Sequence, residues 1–447
     1  MAQRGQRDAA GRRGRPRGRG GRALVAAALT VTVVAGTAGW AVAHQQPAIT
    51  GPPPGAAAWR ADTSLGRQLP DPASASPTAV AHFFAGLGAA ERQSLVVHHP
   101  LVVGNLDGAP VELRYAANAR ALRVERDRER ARATDGALTG QGRKWAAERA
   151  AEYTALLSGD RQILAFDPRD RGQLVEVFGD LTTARRTAVI VPGSDIDLGS
   201  YATAEAADSA RTANTAFTTF TASAANAADT ASPSDARTPV GMARALQGEL
   251  ARQAPGTGTA VISWTGYSTP VGLGLDAATG RLAAAGAPRL DRFLAGLAAA
   301  DGAPTAPPAV LCHSYGSVVC GRAAHRFGAA VADLVVLGSP GVRAEHAADL
   351  GTRARVWAAR DGADWIGRVP HVQLFGLGHG ADPAAADFGA RRLSTAGVND
   401  HAEYFLPGTE SLRNLARITL GDLTAVRCAV TADSPPAAVS ECVDDLR

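Results

Sequence analysis

The chain has 447 residues, of which 46% are hydrophobic, 20% charged and 5% aromatic. This composition is that of a globular protein, and it excludes a collagen-like, disulfide-dense or wholly disordered chain. The formal net charge of +4 is unevenly distributed, because residues 1–22 hold eight arginines and one aspartate and the rest of the chain carries −3. A nucleic-acid-binding domain needs a basic face on its folded part, so the sequence predicts no nucleic-acid partner.

An uncharged apolar segment, Ala23–Ala43, follows this basic cytoplasmic leader. Basic residues before an apolar stretch keep its N-terminal side in the cytoplasm, and a run of this length suffices to span a bilayer. The segment ends in Ala41-Val42-Ala43, a small-x-small pattern that a signal peptidase could cleave. Residues 23–43 are therefore predicted to be a cleaved signal peptide or a retained membrane anchor. Either way, the folded part is predicted to lie outside the cytoplasm, secreted or anchored.

Composition divides the rest of the chain into a proline-rich linker, an N-terminal helical region, a main domain and a C-terminal tail. Their predicted bounds are residues 44–77, 78–160, 161–425 and 426–447. Proline-rich segments of this kind cannot bury a core. Ser76-Pro77 has the form of an N-cap followed by proline at the first helical position. A turn-rich link is predicted at residues 98–108 and a low-complexity insertion within residues 202–237.

From residue 161 onward, short β-rich runs alternate with helical ones. The predicted strands are Gln162–Phe166, Leu174–Phe178, Thr187–Val191, Thr259–Trp264, Ala309–Cys312, Asp333–Leu337, Arg355–Ala358 and Arg391–Ser394. The predicted helices are Arg114–Arg132, Trp145–Leu157, Arg289–Ala300, Gly316–Phe327 and His346–Leu350. This alternation predicts an α/β fold with a mostly parallel central sheet and helices on both faces.

One serine stands between a predicted strand and a predicted helix. The local sequence is Cys312-His313-Ser314-Tyr315-Gly316. This is the nucleophile-elbow pattern with cysteine at the first small position, and it predicts Ser314 as a nucleophile on a strained turn. The N–H of Tyr315 is predicted to be one oxyanion donor. Ser339 also ends a strand, but Pro340 after it has no N–H to donate.

Eight short motifs spread along the chain carry a family resemblance. They are His99-Pro100, Gly104-Asn105-Leu106-Asp107-Gly108-Ala109-Pro110, Ala117-Asn118, Val191-Pro192-Gly193, Trp264-Thr265-Gly266-Tyr267, His313-Ser314-Tyr315-Gly316-Ser317, Gly338-Ser339-Pro340-Gly341 and Asp387-Phe388-Gly389-Ala390. With these motifs, about residues 78–425 resemble the α/β-hydrolase fold, and most closely an actinobacterial family long described as a domain of unknown function. The chain departs from that family at Cys312, where glycine is usual, and at Ala402 and Glu403, where Ser-Gly is usual. The resemblance implies hydrolase chemistry and no particular substrate.

The partners of the nucleophile follow it in the order acid, then histidine. His401 comes after the last predicted strand, where a loop can place it against the serine, and His379 in a Gly-His-Gly turn is the alternative. Asp361 and Asp364 both follow the strand that ends at residue 358. The resemblance favours Asp364, because Gly-x-Asp-x-Ile is the usual form of this loop in the family, and Asp361 is second.

The second oxyanion donor is predicted in the loop after the third strand, Pro192-Gly193-Ser194. Gly193 allows close approach of the backbone, and the N–H of Ser194 would donate. No metal motif, Walker lysine or complete dinucleotide fingerprint is present, because Gly272-Leu273-Gly274 is only a lone Gly-x-Gly. The sequence therefore predicts no cofactor and no metal.

The four cysteines are Cys312, Cys320, Cys428 and Cys442. In a protein outside the cytoplasm, Cys428 and Cys442 are predicted to form a disulfide near the C-terminus. Cys312 and Cys320 lie on the two sides of the predicted nucleophile turn, and they are expected to be buried free thiols.

Together these patterns predict an extracytoplasmic serine hydrolase that cleaves a carboxylic ester, of a small molecule or a lipid, through an acyl-enzyme. Residues 23–43 provide a possible membrane association. The alternative is a weak or inactive hydrolase-fold protein used for binding or envelope scaffolding, and Cys312 is the feature that favours it.

Overall fold

A computed structural model of the chain describes residues 45–202, 237–300 and 306–429. The basic leader, the predicted signal or anchor at residues 23–43, nearly all of the predicted insertion and most of the C-terminal tail lie outside the described residues. The described residues from Gln46 onward form one compact unit. Within the three described ranges, no helix is both long enough and apolar enough to cross a membrane.

One large sheet organises the described part of the chain. The strands are β1 Gln162–Asp167, β2 Gln173–Gly179, β3 Arg186–Val191, β4 Thr259–Thr265, β5 Ala309–His313, β6 Asp333–Leu337, β7 Arg355–Ala359, β8 Gln373–Leu374, β9 Leu377–Gly378 and β10 Arg391–Arg392. Eight of them form a sheet in the order β1-β2-β4-β3-β5-β6-β7-β10, and β8 and β9 form a separate hairpin. β2 is antiparallel to both neighbours, and all other neighbouring pairs are parallel.

Helices precede the sheet and alternate with its strands. The described α-helices are α1 Ala56–Ala61, α2 Pro77–Ala85, α3 Ala89–His98, α4 Pro100–Gly104, α5 Val111–Ala133, α6 Gly140–Leu156, α7 Pro239–Gln253, α8 Leu275–Ala278, α9 Arg281–Ala299, α10 Gly316–Ala323 and α11 Glu410–Leu420. Short 3₁₀ segments at Trp365–Arg368 and Glu403–Phe405 follow β7 and β10. Ser76 caps α2 by accepting the N–H of Ala79, as its position before proline predicted.

The predicted α/β fold is confirmed, and every predicted strand of the sheet ends within two residues of its observed bounds. Two helical predictions are wrong. The predicted turn-rich link contains α4, which Pro100 begins. Helix α9 begins at Arg281 rather than Arg289. Pro288 does not end it, because the proline lies on the exposed side and the helix continues through it.

The sheet is covered on both faces because alternate residues of its central strands point in opposite directions. In β3, Val189 and Val191 belong to the core cluster that includes α9 and α10. Ala188 and Ile190 of the same strand belong to the cluster that includes α7 and α11. The carboxyl ends of β3, β5 and β7 therefore share one edge of a buried sheet, and loops that leave this edge can converge.

The prediction that residues 44–77 form a linker is wrong. Trp59 in α1 is fully buried, and its indole N–H donates to the carbonyl of Pro70 at 2.8 Å. Leu69 joins it in a cluster with the apolar faces of α2 and α3. Gln46 is bonded to the main domain through Asp276, its N–H donating to that carboxylate at 2.8 Å. The segment buries an aromatic anchor despite its proline content, and that anchor makes it part of the fold.

We expect Trp59→Ala to lower the free energy of unfolding by about 3–5 kcal/mol, because it removes a fully buried aromatic side chain. Trp145→Ala is the matched control, since that side chain is 64% exposed, and its effect should stay within about 0.5 kcal/mol. Urea denaturation of both variants measures the difference. Equal effects would show that residues 44–77 do not contribute to the stability of the folded unit.

Candidate active site

Ser314 occupies the turn between β5 and α10 in a strained backbone conformation. Its φ is 54°, in the left-handed region that non-glycine residues rarely adopt. Such a conformation costs about 1–3 kcal/mol and persists only when its surroundings enforce it. Here the Ser314 N–H donates to the carbonyl of Leu337 at 2.9 Å. A Cβ on Gly316 would lie 2.2 Å from the carbonyl oxygen of Val191, so only glycine permits this approach of helix to strand.

A disulfide links the two arms of this turn. Cys312 in β5 is bonded to Cys320 in α10, so the prediction of free thiols at these positions is wrong. The same close approach that demands small residues near the serine brings the two sulfur atoms together. The disulfide also accounts for the departure from glycine at position 312, because the cysteine side chain is directed to a bonded partner. Cys428 is disulfide-bonded too, and its predicted partner Cys442 lies outside the described residues.

The predicted nucleophile, base and acid lie in one hydrogen-bonded chain. His401 Nε2 is 2.8 Å from Ser314 Oγ. His401 Nδ1 is 2.9 Å from Asp364 Oδ1 and 3.0 Å from Oδ2. Because a carboxylate can only accept, Nδ1 carries the proton, and in the neutral ring Nε2 is left as an acceptor for the serine hydroxyl.

The two alternative residues take other positions. Asp361 accepts the hydroxyl of Thr395 at 2.8 Å and the N–H of Ala363, which makes it a turn-forming aspartate. His379 donates through Nε2 to the carbonyl of Ala277 at 2.7 Å, and burial lowers its pKa to about 4. No hydrogen bond joins either residue to Ser314 or His401 in the described part of the chain.

Asp364 is held as a buried anion by three donors. Burial raises its pKa, but the His401 ring, the Ile366 N–H and the Tyr404 hydroxyl lower it further, so the pKa of Asp364 lies below its usual value. The Ile366 N–H donates at 2.8 Å and the Tyr404 hydroxyl at 2.7 Å. Burial and the neighbouring carboxylate raise the pKa of Tyr404. The phenol therefore stays protonated and fixes one carboxylate oxygen beside the histidine.

His313 fixes the opposite side of the histidine loop. Its Nε2–H donates to the carbonyl of His401 at 2.7 Å. Burial, and then the adjacent His401 ring, lower the pKa of His313 to about 3. His313 is therefore neutral near pH 7, and it positions the His401 backbone without placing a second positive charge beside the ring. The indole of Trp365 lies 4.8 Å from the His401 ring on the solvent side.

The loop after β3 lies directly against the nucleophile. A Cβ on Gly193 would be 2.6 Å from Ser314 Cβ and 3.2 Å from the Tyr315 nitrogen, so this close approach requires glycine. Tyr267 holds the loop from below, its hydroxyl donating to the carbonyl of Pro192 at 2.7 Å. Among the described residues, the backbone N–H groups of Tyr315 and Ser194 have no protein acceptor.

Sequence reasoning missed the residues that support this site from behind. Three side chains each fix a loop that carries a predicted site residue: Tyr404, Tyr267 and His313. Of these, Tyr267 and His313 lie in the motifs that carry the family resemblance, and Tyr404 does not. Gly338 is a fourth such residue, because a Cβ there would lie 2.8 Å from Asp364 Oδ2. The spacing of Cys312 and Cys320, on the strand and helix that meet at the serine, was the signal for the disulfide. No group of three or more potential metal ligands occurs in the part of the chain that the structure describes.

A mostly parallel sheet with a serine at a strained strand-to-helix turn is the architecture of α/β hydrolases. A family model described as alpha/beta hydrolase matches residues 167–234 and 228–374, a region that includes Ser314 and Asp364. Over these residues the chain is similar to the α/β-hydrolase family, and the described part has the fold of that family.

Three mycobacterial relatives support the resemblance to an actinobacterial family. The uncharacterized proteins Rv2079 and MT2140 of Mycobacterium tuberculosis (strains ATCC 25618 / H37Rv and CDC 1551 / Oshkosh) are each 29% identical over 408 residues, which cover 79% of this chain and 57% of the relative. The uncharacterized protein Mb0988c of Mycobacterium bovis is 37% identical over 124 residues, 27% of this chain and 46% of the relative. The chain thus spans little more than half the length of the first two relatives and less than half of the third. No solved structure gives a significant match.

We expect Asp364→Asn to reduce hydrolysis of an activated ester by about 10⁴-fold, because an amide cannot hold the histidine in the required tautomer. Asp361→Asn is the matched control, since it is a nearby aspartate of the same loop that does not contact His401, and it should retain activity within about tenfold. Steady-state kinetics on both variants, with thermal unfolding to verify folding, checks the ranking. The reverse ranking would assign the acid to Asp361.

Proposed function

We propose that this protein is a serine hydrolase that cleaves carboxylic esters through an acyl-enzyme intermediate. The observation that carries the proposal is the continuous chain from Ser314 Oγ to His401 Nε2 at 2.8 Å and from His401 Nδ1 to Asp364 at 2.9 Å, built on a strained strand-to-helix turn. Nucleophile, base and orienting acid in this arrangement are the requirements for acyl transfer from serine.

In the first half-reaction, Ser314 Oγ bonds to the carbonyl carbon of the ester and its proton passes to His401 Nε2. The negative charge that develops on the carbonyl oxygen is stabilised by the N–H groups of Tyr315 and Ser194, which have no competing acceptor. Collapse of the tetrahedral intermediate breaks the ester C–O bond. The proton on His401 then passes to the leaving alcohol, and the acyl group stays on the serine.

In the second half-reaction, water bonds to the acyl carbon while His401 takes one of its protons. The Oγ–C bond breaks, the proton returns to Ser314 Oγ, and the carboxylic acid leaves. At both steps the positive charge on His401 is balanced by Asp364, whose lowered pKa keeps it ionised. The neutral His313 beside it adds no opposing charge.

Apolar side chains around the site support an ester with an apolar acyl or alcohol group. Trp365 is 36% exposed and covers the His401 ring. The β8–β9 hairpin carries Phe375, which is 96% exposed at its tip. This hairpin is linked to the nucleophile turn through Thr279, which bridges to Leu377 and whose carbonyl accepts the hydroxyl of Tyr315. Exposed hydrophobic groups at the rim of a site favour apolar ligands.

We further propose that the enzyme works outside the cytoplasm, secreted or anchored by residues 23–43. Disulfides form and persist in oxidising compartments, and both Cys312–Cys320 and the bonded Cys428 agree with that environment. The order of an arginine-rich leader and an uncharged apolar run supports the same orientation.

The alternative of an inactive hydrolase fold used for binding or envelope scaffolding has no observation in its favour. It depended on Cys312, and that side chain is directed into a disulfide with α10 rather than toward the serine. The nucleophile turn keeps its strained backbone, its free oxyanion donors and its hydrogen-bonded histidine.

We expect a fluorophosphonate probe to label the wild-type protein at Ser314 and to fail on Ser314→Ala, whose turnover of an activated ester should fall by about 10⁴-fold or more. Ser339→Ala is the matched control, because Ser339 also follows a parallel strand but its hydroxyl is bonded to that of Ser317 at 2.6 Å. Peptide mapping locates the adduct. A labelled and active Ser314→Ala variant would overturn the assignment of the nucleophile.

For the location, mass spectrometry of the mature N-terminus separates the two versions. A start near His44 indicates a released enzyme, and an intact arginine-rich leader with the folded part open to protease on intact cells indicates an anchored one. Both follow from the orientation that the basic leader imposes on the apolar segment. A full-length chain protected from external protease would contradict both versions.

A further inference from the structure

A second cavity lies away from Ser314, between the N-terminal segment and the sheet. Its volume is about 250 Å³, and its walls come from the end of β4, from α9 and from the loop before α5. Residues 51–53 close it on one side, and these belong to the proline-rich segment that is part of the fold. The lining contains none of Ser314, Asp364 and His401, so the cavity is separate from the candidate active site.

Three arginines line this cavity. Arg114, Arg289 and Arg292 face it together with two acids, Asp107 and Asp167. Arg289 and Arg292 lie one turn apart on the same face of α9. Clustering of guanidinium groups around a concave surface is how proteins recognise carboxylate and phosphate groups.

The two acids are fewer than the arginines that surround them. Asp167 is engaged by a residue outside the lining, Arg169, whose Nη2 donates at 2.6 Å and whose Nε donates at 2.9 Å. Asp107 pairs with Arg114 at 3.2 Å and more loosely with Arg292 at 3.6 Å. The cavity therefore holds three lining arginines against two carboxylates, one of which is already paired with Arg169.

Hydrogen-bonding capacity is left over in the same place. Arg292 Nη2 is buried and has no hydrogen-bond partner. Arg289 forms no hydrogen bond or ion pair with any described residue. Burial lowers the pKa of its guanidinium, and the charges of Asp167 and Asp107 oppose this lowering only in part. An unpaired donor in a confined site costs more free energy than one in water. An anion in the cavity would accept from both guanidinium groups.

We propose that this cavity binds a small organic anion, whose phosphate or carboxylate head is held by Arg289 and Arg292. Trp264 and Phe293 supply the apolar part of the lining, and both are buried, so the body of the ligand is expected to be flat and apolar. The volume is slightly below the range of about 300–1,000 Å³ for drug-sized ligands, which limits the ligand to the size of a single ring with its acidic group. The stacked rings of Trp264 and Tyr267, 6.1 Å apart, separate this anion site from the loop after β3.

The test is thermal unfolding of the full-length protein in a zwitterionic buffer of low ionic strength, titrated with inorganic phosphate, phenyl phosphate or benzoate. A ligand that binds only the folded state raises Tm in a saturable way. We expect both aromatic anions to bind more tightly than inorganic phosphate. The relative affinities of phenyl phosphate and benzoate identify the preferred head group. Sodium chloride at equal ionic strength is the control, and an equal rise in Tm with it would overturn the proposal.

Arg289→Gln and Arg292→Gln should each weaken binding of the preferred anion by about 10- to 100-fold, because each removes a charge-assisted hydrogen bond. Arg132→Gln is the matched control, since Arg132 is an exposed arginine paired with Glu129 on α5, and its affinity should be unchanged. Arg289→Lys keeps the charge and removes the fork, so it should fall between wild type and Arg289→Gln and serves if the glutamine variants do not fold. No saturable rise with any of the three anions, or equal affinities for wild type, Arg289→Gln, Arg292→Gln and Arg289→Lys, would overturn the proposal.

Discussion

The close contact between the end of β5 and the start of α10 is the constraint on which the candidate site depends. Ser314 can hold its left-handed backbone only because strand and helix fix both of its ends. The same contact leaves no room for a side chain at Gly316, and the serine in turn leaves none at Gly193. It also places Cys312 opposite Cys320, where the disulfide ties the two elements across the strained residue. The strained backbone of Ser314 is thus maintained by close packing around it. In the sequence, this packing is visible only as a requirement for small residues at the neighbouring positions.

The electrostatic environment of His401 is set by the charge states of the two buried groups beside it, Asp364 and His313. Asp364 is buried but keeps three donors, which is the condition under which a buried carboxylate stays ionised. His313 is buried with one acceptor and no carboxylate partner, and it stays neutral. His401 is the one histidine of the described residues that contacts both the serine and an anion. In the proposed acyl transfer, the positive charge that forms would therefore reside on His401.

Features that depend on neighbouring residues could be predicted from the sequence, whereas contacts between residues far apart in the chain could not. Buried parallel strands are continuous apolar runs, so their positions were predictable to within two residues. The order of Ser314, Asp364 and His401 followed from the fold, and the structure brings these three together. By contrast, Tyr404 donates to Asp364 although the two residues are 40 positions apart in the chain. No local sequence pattern predicts such a contact. The linker was misjudged because one buried residue, Trp59, outweighs a proline-rich composition.

The net charge of a chain does not show how its charges are distributed in the fold. Beyond residue 22 the chain is mildly acidic, yet three arginines and only two carboxylates line one cavity. The proline-rich segment closes that cavity, so the residues that composition assigns to a flexible linker confine the charges and limit their hydration. An unpaired guanidinium costs more free energy in a confined cavity than in open solvent, because water in open solvent would accept from the same donors. The folding of the N-terminal segment onto the sheet therefore also closes the cavity for which we propose an anionic ligand.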